Sequence, residues 1–518
     1  MRMQHRNTLL ARAGNAGRAP AWLAARAAAM AAAVCMHPMA DEAAIAAPVA
    51  PTTLAALDDE WAATMKALVR RCDAAGHDAL AAFIRNWRLP DDASRQVVLA
   101  IPPRQVQPDW IDTPDEQAIW DSFLDARRTQ AVGTLSLALA ASRDDRQPTP
   151  RGAEVRAPLR GTSEAIRLVY RALRDDPENE RAREAGGWVK RQGQWVWPEA
   201  ARRLDHGEEH SQEYGWLPRG RQERYRNGER YERGRWIRDA APARPTEPAQ
   251  GWKFASDHWL ITSTADMQAA AMLAAQLEET HTVWRQVFGS FQYEPAEWEQ
   301  RIAGRARPAA GGRRTPFAAT LVADRRQYIA ALEHLEPAIA RTLGIYWTPT
   351  HTAWFFEDEG QEPTTVHHEA THQLFAEMRR TSPLAGERCG FWAIEAAACY
   401  LESLERTDFG WTVGGLDAGR GPAARERLLD DGFHVPLAEL AALGRRDFQA
   451  DDRLPQIYSE ISGLADFFMN GERGRHRDAF IEYLTRIYTG TVDADTLSRL
   501  CGTSYDELDA GYRRHVAR

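Results

Sequence analysis

The sequence predicts an α+β chain that is predominantly helical, and three observations carry that expectation. Between about Thr53 and Asp176, apolar residues recur at helical spacing. From Glu184 to Ile237, Gly-to-Trp units recur among charged residues, the pattern of short β-hairpins. From Trp252 onward, strand-like runs alternate with amphipathic stretches, and everything after Thr364 reads as helix.

In the first region, Leu54 to Leu68, Ala75 to Trp87, Gln117 to Leu139 and Ser163 to Leu173 read as helices. The run Ala172 to Asn179 resembles the end of a tetratricopeptide-type unit. A solenoid needs several stacked repeats, so an irregular helical domain over 46–180 is the expectation, with a protein partner as its possible ligand. The hairpin units are Gly187-Trp188-Val189, Gly193-Gln194-Trp195-Val196, Gly215-Trp216-Leu217 and Gly234-Arg235-Trp236-Ile237. The run Arg219 to Arg238 interleaves Tyr225, Tyr231 and Trp236, a composition that could stack nucleic-acid bases. Glu223, Glu229 and Glu232 break up its charge, which favours hairpins with one aromatic and one solvated face. Ala240 to Ala249, with three prolines, reads as a linker and closes a segment over 181–249. In the last region, 250–518, Trp259 to Thr262, Phe317 to Val322 and Thr352 to Phe356 read as strands. Asp266 to Phe288 reads as a long helix, and Asp324 can cap another.

The chain of 518 residues is long enough for roughly two to four domains. A net charge of −8 argues against a general nucleic-acid binder. No apolar run after about residue 50 is long enough to span a bilayer. Arg2, Arg6, Arg12, Arg18 and Arg26 precede the apolar stretch Ala27 to Val34, and Ala40 to Pro51 offers cleavage and linker positions. Residues 1–45 therefore read as a signal peptide and linker of an exported protein, periplasmic or extracellular, against the alternative of a disordered Ala/Arg-rich tail. Val34 before Cys35 is a poor fit to a lipid-anchored cysteine. The five cysteines show no zinc-knuckle spacing; Cys389 and Cys399 could pair in an exported protein or stay as buried thiols.

The chemistry is concentrated in Thr364 to Phe375, which contains His368-Glu369-Ala370-Thr371-His372. On a helix, His368 and His372 lie on one face and can aim imidazole nitrogens at one metal ion, with zinc the expected occupant. Glu369 projects beside them, where it can reach a water without ligating, the position of a general base. His367 is rotated away. With 15 His in the chain, a chance match has an expected count of roughly a few hundredths. Pro363 and Thr364 are helix-start residues.

Catalytic zinc usually takes a third protein ligand and keeps one open position. Phe375 and Met378 stand where the metzincin pattern requires Gly and His. The remaining route is a Glu on a second helix, and Phe391 to Glu402, Ala-rich without internal Gly or Pro, is that helix. Glu395 lies in an apolar stretch, where a carboxylate is costly unless paired or metal-bound. Glu402, Glu377 and Glu387 are weaker candidates for the same role.

His-Glu-x-x-His followed by Trp392, Glu395, Ala398, Tyr400 and Glu402 resembles the gluzincin zinc peptidases, the thermolysin-like and aminopeptidase-like clan. The likeness is greatest to a little-characterised bacterial family with a peptidase-MA-like domain. It runs from about Trp252 to the C-terminus and includes Tyr458 to Phe468 and Leu500 to Leu508. The resemblance implies zinc, a two-lobed thermolysin-like peptidase domain over 250–518 and Glu395 as third ligand. Together with spacing it nominates Tyr458 as the second electrophile for an oxyanion. Two positions and one missing signature depart from the pattern. Ala396 replaces the Gly after the ligand, and Cys399 stands one turn after Glu395 where an Asp would support a ligand histidine. The Gly-x-Met-Glu-Asn signature of the aminopeptidase branch is missing.

The expected function is an exported zinc metallopeptidase acting on a peptide or protein substrate. Its ligands would be His368, His372 and Glu395, with Glu369 and Tyr458 catalytic. The alternative is a non-catalytic interaction scaffold whose zinc site is structural or vestigial; an intact Glu369 argues against it, because a structural site has no use for a base.

Overall fold

The computed structural model describes residues 53–88, 90, 94–103, 106–144, 161–232, 235–238, 245–306, 315–358 and 363–518. The expected signal segment, with Ala40 and Cys35, lies outside the described residues, as do residues 240–244 of the expected linker.

Helix α1 (Leu54–Ala75) begins where the Thr53 side chain accepts the Ala56 N–H and ends at Gly76, whose φ of +77° is the left-handed stop a glycine tolerates. Its buried Leu57, Met65, Leu68 and Cys72 face α2 (Asp78–Asn86) and α3 (Pro114–Asp144). Phe83, Trp87, Trp120 and Phe123 close this core with tilted and edge-on ring contacts. Helix α4 (Thr162–Asp175) packs along α3.

Strand β1 (Gln96–Leu99) corrects the expectation that this region is wholly helical. It pairs antiparallel with a strand far down the chain, Val98 opposite Trp411 and Leu99 opposite Gly410. A Cβ at position 410 would lie 2.4 Å from the Val98 carbonyl oxygen, so only glycine permits this approach. The Gln286 side chain clamps Leu99 from the other side, accepting its N–H at 3.1 Å and donating to its carbonyl at 2.9 Å.

The expected short hairpins are present, three of them among the described residues: Val189–Arg191 with Gln194–Val196, Glu208–Ser211 with Gly215–Pro218, and Glu229–Glu232 with Arg235–Arg238. On the last hairpin, two aromatic rings are covered by the chain's own cations. The Arg221 guanidinium lies 4.1 Å from the Tyr231 ring centre, and that of Arg224 lies 4.1 Å from Trp236.

The central sheet has five strands, β2 (Trp252–Ala255), β3 (Trp259–Ser263), β4 (Phe317–Val322), β5 (Ile345–Trp347) and β6 (Thr352–Phe356), in the order β5-β6-β4-β3-β2. The inner three run parallel, and both outer strands are antiparallel to their neighbours. Helix α5 (Met267–Val287), capped by Asp266, packs against β2 and β3 and against α6 (Pro363–Glu377), which itself packs against β5 and β6. Helix α6 then meets α7 (Phe391–Glu402), and α7 meets α8 (Leu454–Gly474); α9 (Tyr505–Val516) packs on the far side of α8. One continuous apolar core, including Trp259, Trp284, Phe375, Trp392 and Phe468, joins sheet and helices.

The chain is not wholly helical after Thr364. Strands β7 (Glu405–Thr407) and β8 (Gly410–Val413) form a hairpin, and β8 takes β1 as its second partner. Trp411, Thr412 and Val413 favour extended backbone, and Gly414 and Gly415 adopt the positive φ that ends the strand. Cys72, Cys389, Cys399 and Cys501 are free thiols, so the Cys389–Cys399 disulfide is not formed.

A buried imidazolium ties this C-terminal bundle together. His434 Nδ1 lies 2.6 Å from Glu460 Oε1 and Nε2 lies 3.3 Å from Asp509 Oδ1. Burial disfavours charge on the ring, but Asp509 and Glu460 outweigh it and push its pKa up to about 9. The unfolded chain titrates near 6.5. The stabilisation is therefore complete below about pH 6.5 and is lost as pH rises to about 9. Burial also pushes Glu460 upward, which offsets part of the gain. Wild type should lose roughly a few degrees more Tm than His434→Gln between pH 6.5 and 9.5. Parallel Tm–pH curves for the two proteins would remove His434 from this role.

Candidate metal centre

Helix α6 presents its functional residues in two stripes. His368 and His372, four apart, face α7, while Glu369, Gln373 and Glu377, also four apart, face the edge of the sheet. His367 turns away as expected: it is buried, and its Nδ1 meets Thr280 Oγ1 at 2.8 Å.

The Nε2 atoms of His368 and His372 are 3.1 Å apart. Glu395 Oε2 lies 3.5 Å from the first and 3.7 Å from the second. These three side chains are positioned to bind a metal ion. The sequence-predicted ligands thus converge, and the reason is packing. Every residue of α7 is buried, and Ala393, Ala396 and Ala397 are small enough to bring its backbone close to α6 and α8. Glu395 is held among partners rather than in a void. Burial alone would raise its pKa, but His372 and His368 hold it well below the usual carboxylate range. The His368 and His372 side chains keep 13 % and 16 % of their surface.

The other acidic candidates do other work. Glu377 accepts hydrogen bonds from Gln373 and Tyr346. Glu387 pairs with Arg445 at 3.0 Å. Glu402 is the informative one. Its Oε1 lies 2.8 Å from His368 Nδ1, and both its oxygens receive the Arg420 guanidinium, at 2.6 and 3.0 Å. The supporting carboxylate that Cys399 cannot provide therefore comes from two turns along α7. The signal was in the sequence: Glu395 and Glu402 are seven apart, hence on one helix face. Arg420 carried no local signal, because it arrives from beyond the β7–β8 hairpin.

This support fixes the tautomer of His368. A proton on Nδ1 donates to Glu402, leaving the Nε2 lone pair toward the metal position. Without metal, burial opposes charge on this ring. Contacts with Cys399, Glu395 and Glu402 outweigh burial and hold the pKa well above 6.5, so metal binding must expel a proton. Removing the support by Glu402→Ala should weaken metal affinity by about 10–100-fold, read by metal-competition titration. Unchanged affinity would show that Glu402 only anchors Arg420.

Glu369 stands beside the ligands without joining them, and its Oε2 accepts the Tyr346 N–H at 2.7 Å. Tyr458, on α8, donates its hydroxyl to Glu395 Oε2 at 2.9 Å, and the Arg420 guanidinium lies 5.4 Å from its ring. Burial and then the Glu395 charge push the phenol far up, so it remains a donor.

No protein-family model, no curated protein and no solved structure matches the chain.

Proposed function

We propose that the protein is a zinc-dependent metallopeptidase of gluzincin type, with α6 and α7 as the helices of a thermolysin-like, two-lobed domain. The observation that carries this reading is the convergence of His368, His372 and Glu395 beside a non-ligating Glu369. A tetrahedral zinc with ligand atoms at 2.0–2.2 Å has ligand–ligand edges of roughly 3.3–3.6 Å. The separations of 3.1, 3.5 and 3.7 Å fit that ion with little adjustment. Zinc, when bound there, acts as a Lewis acid and lowers the pKa of water toward about 7. Glu369 accepts a proton from the attacking water and returns it to the leaving amine nitrogen of the peptide. Tyr458, protonated and one hydrogen bond from the ligand set, is the donor proposed for the oxyanion; to serve it, the hydroxyl leaves Glu395. Export to the periplasm or beyond belongs to the same reading, and amino-terminal sequencing of the natively produced protein tests it.

The deciding experiment measures metal content and cleavage of a diverse peptide library by the purified protein. About one zinc per centre is expected, with cleavage lost to a chelator and restored by zinc. Zinc retention with no cleavage across the library would turn the reading to that of a scaffold with a structural site.

A further inference from the structure

Glu369 is held by a strand, not by its own helix. Its Oε2 accepts the backbone N–H of Tyr346, in β5, the edge strand of the sheet. The contact requires β5 to lie close against α6. Gly344 makes this possible, since a Cβ there would sit 2.9 Å from Thr365 Cγ2 and 3.2 Å from Glu369 Cγ. The Tyr346 side chain then pins the strand. Its hydroxyl donates to Glu377 Oε1 at 3.3 Å and lies 3.1 Å from His351 Nδ1. His351 adopts φ +51°, a left-handed conformation that a non-glycine residue keeps only when its surroundings enforce it. Glu377 is fixed in turn by Gln373, fully buried, which accepts the Trp259 indole N–H at 3.0 Å. The stripe Glu369, Gln373 and Glu377 is thus one continuous hydrogen-bonded seam between α6 and the sheet.

A carboxylate with one oxygen committed to a fixed N–H presents the other in a defined direction. A general base must meet its proton within hydrogen-bond reach, and a misplacement of about 1 Å can cost 10²-fold. We propose that Tyr346 is the positioning residue for Glu369, its N–H orienting the carboxylate and its phenol locking β5 so that the N–H stays in place. This rests on the metallopeptidase reading for its catalytic consequence, though not for the contact itself.

The test has two arms. In metal-free protein, hydrogen–deuterium exchange of the segment 344–347 should show a protected Tyr346 amide, and Glu369→Ala should accelerate its exchange at least about tenfold. In the zinc-loaded protein, Tyr346→Phe keeps the ring and removes the phenol anchor. It should lower kcat about tenfold with KM and metal content unchanged, and Gly344→Ala should lower kcat further. In a Glu369→Gln background neither change should cost more, because there is no base left to orient. Equal losses in both backgrounds would mean a general structural effect and overturn the proposal. Unchanged exchange in an active enzyme would do the same. An enzyme inactive toward every peptide sinks the metallopeptidase reading, while the exchange arm still decides whether the strand holds Glu369.

Discussion

On the metallopeptidase reading, Glu369→Gln should leave the metal in place and reduce peptide hydrolysis by roughly 10²–10⁴-fold or more. The amide has the carboxylate's shape, and its oxygen can still accept the Tyr346 N–H, so the seam between α6 and β5 survives. His368, His372 and Glu395 make their contacts independently of it. What is lost is the ability to take up a proton at neutral pH. Metal analysis beside a peptidase assay separates the two properties. Full activity of the variant would show that another group serves as base, even with zinc bound.

The second large effect concerns metal itself. Glu395→Ala removes one of three converging ligand groups and should weaken zinc binding by more than the roughly 10–100-fold typical of an outer-sphere partner. The loss also strips His372 of the carboxylate that faces it, while His368 keeps Glu402. Because Glu395 sits in a fully buried helix, Glu395→Gln serves as the companion variant, preserving volume and the capacity to accept the Tyr458 hydroxyl. Competition titration with a zinc chelator reads both. Wild-type affinity in a folded Glu395→Gln protein would remove Glu395 from the ligand set. The paired phenotypes, metal kept without turnover at 369 and metal weakened at 395, discriminate base from ligand.

Local order was readable where one period dominated. The strands at 259–262, 317–322 and 352–356, the long helix starting at Asp266 and the cap at Asp324 follow from apolar patterning and capping chemistry. Strand β1 was not readable, nor was the β7–β8 hairpin. Each is short, and the partner that makes β1 a strand is hundreds of residues away in the chain. Edge strand β5 escaped for the same reason: its three residues are extended because β6 pairs them.

The sequence by itself determined the geometry internal to α6. A pitch of 3.6 residues per turn puts His368 with His372, and Glu369 on the adjoining stripe, whatever surrounds the helix. It also marked Glu395, because a carboxylate in an all-apolar run must find a partner. Tertiary structure alone decided which partners these residues meet. Close packing of α7 through its alanines sets how near Glu395 comes to the two imidazoles. The chain beyond the β7–β8 hairpin delivers Arg420 to Glu402 and so orients His368. The approach of β5 at Gly344 orients Glu369. Helical periodicity is encoded within a few residues, whereas contacts between helices and a sheet edge depend on how the whole core closes.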